Sequence, residues 1–332
     1  MLTRINYLTA GESHGKGLLG IIEGIPAGLD LTEEFIERNL YRRQQGYGRG
    51  GRMKIEKDRA EIYCGVRNGK TIGSPIGLIL PNKDWKNWEG KMNINKITTS
   101  RKITLPRPGH ADLAGIKKFN FSDIRDVIER SSARETAMRV ALASICRKLL
   151  NEVGIEVYSR VIKIHSVIDK TEWGINNNME KINKIIDNSP VRCLGKNAEQ
   201  KMMAVIDKAK SKGDSVGGVF EIIATGIPYG LGSYTQWYKK LQSRITHSIM
   251  SINAFKGIEI GSGFNQADHF GSQVHDEIGW DGNKYIRYSN NSGGIEGGMS
   301  NAQPLVIRTM MKPIPTLIKP LRSIDISTKE KK

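Results

Sequence analysis

The stretch SARETAMRVALASICRKLLNEVG, Ser132 to Gly154, carries the clearest helix signal in the chain. Ser132 followed by Glu135 is a capping box, and Gly154 supplies the stop. The apolar positions Ala137, Met138, Val140, Ala141, Leu142, Ile145 and Leu149 cover more than one stripe. Small residues at Ala137, Ala141 and Ser144 permit close packing on two sides. The spacing therefore predicts a core helix held among other layers rather than one lying on a surface.

On the N-terminal side, a strand-like Tyr7-Leu8-Thr9 is followed by a strand over 18–22 and a turn over 24–28. Asp30 and Glu33 form a capping pair for a helix over 31–45 closed by Gly46. Strands are expected over 60–66 and 75–80, around the turn Arg67-Asn68-Gly69. Residues 82–122 are polar, rich in turn signals, and read as long loops. On the C-terminal side the pattern predicts a strand over 155–167, helices over 178–188 and 196–212, and a strand over 217–225. A further helix over about 238–254 places Leu241, Ile245, Ile249 and Ile252 on one face. Strands over 257–260, 284–288, 304–311 and 321–326 complete the map. No flexible linker or fixed-period repeat divides the chain.

A length of 332 residues suffices for a sizeable core. The balance of 51 Lys+Arg against 34 Asp+Glu gives +17, a field that attracts anions over a Debye length of about 8 Å. Nucleic acid, acidic lipid and polyanionic metabolites all fit that sign. Many of the lysines, such as Lys181, Lys184, Lys208, Lys210 and Lys212, are scattered through polar stretches and read as solvated surface. Cys64, Cys146 and Cys193 lie far apart with no C-x-x-C pair, which excludes a paired-cysteine zinc site and a disulfide scaffold. No metal-ligand spacing is visible. With no apolar leader and no membrane-length apolar run, the expected location is cytoplasmic.

Two of the six histidines sit in glycine-bracketed polar clusters. Gly11-Glu12-Ser13-His14-Gly15 puts a carboxylate, a hydroxyl and an imidazole on one tight loop. Arg107-Pro108-Gly109-His110-Ala111-Asp112 puts His110 on a turn beside a carboxylate that could orient the ring. Imidazole exchanges protons near neutral pH, so both are candidate acids or bases. Taken singly, each is equally read as a turn or structural histidine. The stretch 42–53 holds Arg42, Arg43, Arg49 and Arg52 in a glycine-rich context, suited to phosphate and carboxylate. The same pattern also serves a helix C-terminus or an RNA-binding segment. Arg130-Ser131-Ser132-Ala133-Arg134 opens the core helix, where free N–H groups and two guanidinium groups favour an anion. Asn253-Ala254 closes the helix of 238–254. Gly293, Gly294, Gly297 and Gly298 form a glycine-dense loop before the strand leading to Lys312-Pro313-Ile314-Pro315-Thr316, without P-loop or dinucleotide spacing.

Taken in this order, from Thr9 to Asp325, the clusters resemble the chorismate synthase family. The resemblance implies an α+β fold, a β-α-β sandwich with core helices between antiparallel sheets, as a single domain over 1–332 that assembles as a homotetramer. It implies conversion of 5-enolpyruvylshikimate 3-phosphate to chorismate and phosphate by anti-1,4-elimination. Reduced FMN is required without net redox change, and NADPH is a further nucleotide the family accommodates. By motif, His14 resembles the acid at the departing phosphate and His110 the histidine that protonates reduced flavin. Arg43 and Arg49 fall at the substrate or nicotinamide nucleotide site, and Arg52, Arg107 and Arg134 hold substrate phosphate and carboxylates. Flavin contacts fall on Arg130, Ser131, Ser132, Asn253, Ala254, Gly297, Lys312, Pro313, Ile314, Pro315 and Thr316. No metal is implied. Family members continue past the region of 324–332 into an Arg-x-Asp element and a final helix, so weak or absent turnover and reduced flavin affinity are expected of a chain that stops at Lys332. Two other readings stand beside the lyase: a catalytically impaired paralogue, and a basic nucleic-acid-binding protein.

Overall fold

The computed structural model describes residues 4–49, 58–95, 101–173 and 178–332. The chain divides into two compact units, each described by itself. The first comprises Leu2–Leu149, Ala209–Ser215 and Ile314–Lys332; the second comprises Leu150–Lys208 and Val216–Pro313.

In the first unit, β1 (Asn6–Ala10), β2 (Gly17–Glu23), β3 (Glu61–Cys64) and β6 (Ile76–Pro81) form an antiparallel sheet in the order β1-β2-β6-β3. The expected turn at 67–69 is there, joining the small hairpin β4 (Val66–Arg67) and β5 (Lys70–Thr71). Helix α1 (Glu33–Gln44) contributes Ile36 and Leu40 to the core, and the sheet contributes Leu18, Ile22, Ile76, Leu78 and Leu80. The long helix α5 (Thr136–Glu152) adds Ala137, Met138, Ala141, Leu142 and Ile145 to the same cluster. Each Leu, Ile or Met side chain among them, once removed from water, stabilises the unit by about 1.5–3 kcal/mol before ordering costs. Contact is close: a Cβ on Gly20 of β2 would lie 2.5 Å from the Met138 sulfur.

Three short helices follow among the described residues: α2 (Trp85–Trp88), α3 (Asp112–Phe119) and α4 (Arg125–Ser131). The loop reading of 82–122 is thereby corrected. Gly115 lies inside α3, where Val127 of α4 occupies the space a side chain would need, 2.5 Å from the Cβ position. Capping also differs from expectation at both ends of the core. Thr32, not Asp30, caps α1 by accepting the Phe35 N–H, while Asp30 pairs with Lys70. Ser132 opens a 3-10 turn over Ala133–Glu135 before α5 begins, and Glu135 turns to Thr9 and Arg139. The strand expected over 321–326 is a single bridge, Ile324 to Lys331, because Asp325 bonds Thr104 and the backbone of Ser327 and Thr328.

The second unit is built on a five-stranded antiparallel sheet, β11-β16-β9-β7-β8. Its strands are β7 (Glu156–Ile164), β8 (Val167–Ile168), β9 (Gly218–Thr225), β11 (Phe255–Ile260) and β16 (Leu305–Met311). Helices α6 (Met179–Asn188) and α7 (Lys196–Ser211) match the predicted amphipathic pair. Helix α8 (Leu241–Met250) is shorter than predicted, packing Leu241 and Ile245 near Ile155 and Leu305 and ending before Ile252. A three-stranded sheet runs β10 (Tyr229–Gly232), β15 (Met299–Asn301) and β14 (Ile295–Glu296); α9 (Gly271–Val274) and the hairpin β12 (Ile278–Trp280) to β13 (Tyr285–Arg287) follow the β11 strand. Across the main sheet, buried Glu221 on β9 lies opposite Arg160 on β7 and Arg308 on β16, and it accepts hydrogen bonds from both.

Candidate active site

The loop between β1 and β2 carries His14. Glycine is required at Gly11, where φ is +99° and a Cβ would meet the Gly17 carbonyl oxygen at 2.3 Å. This tight closure lets α4 grip the loop. Glu129 accepts the His14 backbone N–H at 2.8 Å, and its two carboxylate oxygens lie 2.9 and 3.0 Å from the ring Nδ1. The Ser13 N–H donates to the Glu129 carbonyl at 2.9 Å, and Ser13 also meets Ser132 through their hydroxyls at 3.1 Å. Trp88 packs over the imidazole with centroids 3.7 Å apart and the rings tilted by 30°, and its indole N–H is held by Asp84 at 2.9 Å. Glu129 is only 4% exposed. Burial alone would push its carboxyl up, but the His14 ring and backbone donors outweigh burial and hold it below the usual carboxylate range.

His110 stands on the turn entering α3, where Gly109 has φ +77°. Its Nδ1 bonds the fully buried Asp112. Asp112 also accepts the Arg107 backbone N–H at 3.0 Å and the Arg107 Nε at 2.9 Å. The Arg107 guanidinium lies beside the ring, 3.1 and 3.4 Å from its two nitrogens, and its other arm donates to Thr316 at 2.8 Å. Burial again pushes the Asp112 carboxyl up, and the donors of His110 and Arg107 more than reverse it, leaving it far below its ordinary value. Residues after Thr316 tie back to this segment: Ser323 donates to the Pro106 carbonyl and Asp325 accepts from Thr104, both at 2.5 Å.

The arginines expected to hold anions are themselves set by carboxylates and carbonyls. Arg43 on α1 donates to Thr136 at 3.0 Å and to the Ala133 carbonyl at 3.1 Å, with Asp58 at 3.5 Å. Arg134 meets the other oxygen of Asp58 at 2.6 Å. Arg130 reaches back to the Thr9 and Gly11 carbonyls at 2.6 and 3.2 Å, clamping the start of the His14 loop. Arg49 is exposed, and Arg52 lies outside the described residues. The helix α4 joins these groups: Val127 packs with Ile116 of α3 on the His110 side, while Glu129 and Arg130 hold the His14 loop.

Of the other expected residues, Ile314, Pro315 and Thr316 belong to the first unit, and Asn253, Ala254, Gly297, Lys312 and Pro313 to the second. There the Lys312 N–H donates to the Ala254 carbonyl at 3.0 Å, and Ala254 has a φ of +71°. Gly297, the turn of the β14–β15 hairpin, has open space where a side chain would begin. The sequence reading missed Glu129, Asp58 and Trp88. Glu129 had a signal, since it lies next to Arg130 and four residues after Arg125, one helical turn. Asp58 and Trp88 had none, because only folding brings them to their partners.

Comparison with known proteins points to one family. The chorismate synthase family profile matches residues 5–332. A chorismate synthase of Alkaliphilus metalliredigens is 56% identical over 97% of this chain and 84% of that protein. Those of Bacillus subtilis and Aquifex aeolicus are each 52% identical, over 98% and 99% of this chain and 85% of each relative. A crystal structure of a chorismate synthase superposes with a TM-score of 0.81 at 44% identity, covering 95% of this chain and 87% of that one. These matches do not favour the nucleic-acid or impaired-paralogue readings. No helix among the described residues is long and apolar enough to cross a membrane. With its α+β fold, the chain belongs to the chorismate synthase family, lyases of the shikimate pathway that act on a small-molecule substrate with a reduced flavin.

Proposed function

We propose that the two carboxylate-backed imidazoles of the first unit carry the acid–base steps of the elimination that converts 5-enolpyruvylshikimate 3-phosphate to chorismate and phosphate. The observation that carries this reading is the shared construction of the two centres, His14 on Glu129 and His110 on Asp112, each carboxylate buried and ionised. His14 gives its proton to the departing phosphate, and His110 holds a proton at the flavin. Arg49 and Arg52, with Arg43, Arg107 and Arg134, attract and orient the phosphate and carboxylates of the substrate. Arginine suits that task because its planar fork matches both anions.

The cofactor in this reading is FMN, with NADPH as a further nucleotide at Arg43 and Arg49. Reduced FMN supplies an electron-rich ring to a reaction that has no net redox change. Its proposed contacts are Arg130, Ser131, Ser132, Asn253, Ala254, Gly297, Lys312, Pro313, Ile314, Pro315 and Thr316. The three free cysteines support a reducing, cytoplasmic setting. The reading further treats residues 1–332 as one catalytic domain of a homotetramer. An anaerobic assay with chemically reduced FMN and the enolpyruvyl substrate tests the function. Chorismate and phosphate are expected in equal amounts with reduced FMN and neither with oxidised FMN. Product formation independent of flavin reduction would refute the reading.

A further inference from the structure

We infer that Glu129 is a positioning residue that locks His14 in the Nδ1–H tautomer, so that proton exchange at His14 runs through Nε2 with no reorientation of the ring. The inference rests on the proposed acid role of His14 and adds to it the group that sets which nitrogen acts.

Hydrogen-bond chemistry carries the argument. An ionised carboxylate can only accept. Both Glu129 oxygens lie within 3.0 Å of the His14 Nδ1, and one of them also takes the His14 backbone N–H. Nδ1 must therefore carry a hydrogen whether the ring is neutral or protonated. An acid that releases its Nε2 proton then falls directly into the tautomer that Glu129 stabilises, and the next proton returns to the same nitrogen. The ring cannot readily turn, because Trp88 covers it at a centroid distance of 3.7 Å and Asp84 holds the indole.

The surroundings preserve the charge on Glu129. Arg125, one turn earlier on α4, approaches its carboxylate at 3.5 Å. Arg125 and Lys91 also lie 5.5 and 5.0 Å from the Trp88 ring. Of the acidic groups on packed elements, Asp84 is engaged by Trp88 and Asn87, and Glu12 lies near Gly15 within the same loop. Serine proteases show the cost of replacing such an orienting carboxylate by an amide: geometry is kept, the tautomer is wrong, and turnover falls about 10⁴-fold.

The test is nitrogen NMR of histidine-labelled protein, with the His14 resonances identified by their loss in His14→Gln. In the unsubstituted protein the neutral ring is expected to be protonated at Nδ1; a ring protonated at Nε2 would overturn the inference without need of a variant. In Glu129→Gln the amide can donate to Nδ1, so the Nε2–H form should appear. The kcat should then fall at least ~10²-fold while KM for the enolpyruvyl substrate changes little. Glu129→Asp should recover the Nδ1–H signature and part of kcat. Should Glu129→Gln keep the Nδ1–H form, or should it lower kcat with no change of tautomer, Glu129 is not a positioning residue in this sense. Full turnover by His14→Gln would instead remove the acid role of His14 and leave the tautomer result standing, so the two failures are distinguishable.

Discussion

At the scale of single residues, both histidines are built alike, with a short loop, a buried carboxylate on Nδ1 and a nearby guanidinium. The resemblance ends at the supporting element. Glu129 reaches His14 from α4, whereas Asp112 lies two residues from His110 and joins it to Arg107 within one turn. The carboxylate of His110 is thus supplied by its own turn, while that of His14 is supplied by a distant helix. Replacing His110 by Ala is expected to lower kcat by ~10²–10⁴-fold with substrate affinity largely retained, as for loss of a positioned acid or base. Steady-state kinetics with equilibrium substrate binding measure both quantities, and an unchanged kcat would refute the role. Asp112 was visible in the sequence beside His110, because local spacing alone brings them together. Glu129 was not linked to His14, because 115 residues separate them and only the docking of α4 closes that distance.

Among elements, the α3–α4 pair is the piece that positions the chemistry, and its packing depends on one glycine. Val127 lies 2.5 Å from where a Cβ on Gly115 would sit. Alanine there would favour the helix intrinsically by about 1 kcal/mol, yet the overlap with a branched, half-rigid side chain costs about 1–3 kcal/mol. The clash should win. Gly115→Ala is expected to lower stability in denaturant unfolding, and Val127→Ala in the same chain should return part of the loss. A double-mutant cycle with no coupling between the two positions would show that α3 and α4 do not depend on this contact. The stretch 82–122 reads as loop because it is polar and rich in turn signals, and the packing of Val127 on α3 is not written in that local pattern.

For the whole molecule, the balance of charge sets the response to acid. Glu129, Asp112 and Glu221 are all held below their ordinary values: burial raises each, and hydrogen-bonded or charged partners lower each by more. A carboxyl whose folded value lies below its unfolded one adds stability that is complete above the unfolded value, about 4, and lost as pH falls through the folded value. The net charge of +17 at pH 7 grows as carboxylates protonate, so self-repulsion acts in the same direction. The melting temperature is accordingly expected to fall steeply below about pH 4. A thermal unfolding series from pH 7 to pH 3 measures it, and a melting temperature that holds or rises below pH 4 would contradict the account.

What the amino-acid order determined by itself is whatever depends on neighbours along the chain. The core helix with its glycine stop, the 67–69 turn, the alternation in β2, the amphipathic α6 and α7, and the two histidine clusters all follow from local spacing, and with their order the family. Tertiary structure alone decided which carboxylate meets which base. Glu129 on His14, Asp58 between Arg43 and Arg134, and Glu221 between Arg160 and Arg308 all join residues far apart in sequence. The reason is physical: a period of 3.6 or 2 is written in adjacent residues, but a buried charge is tolerated only where folding delivers its partner.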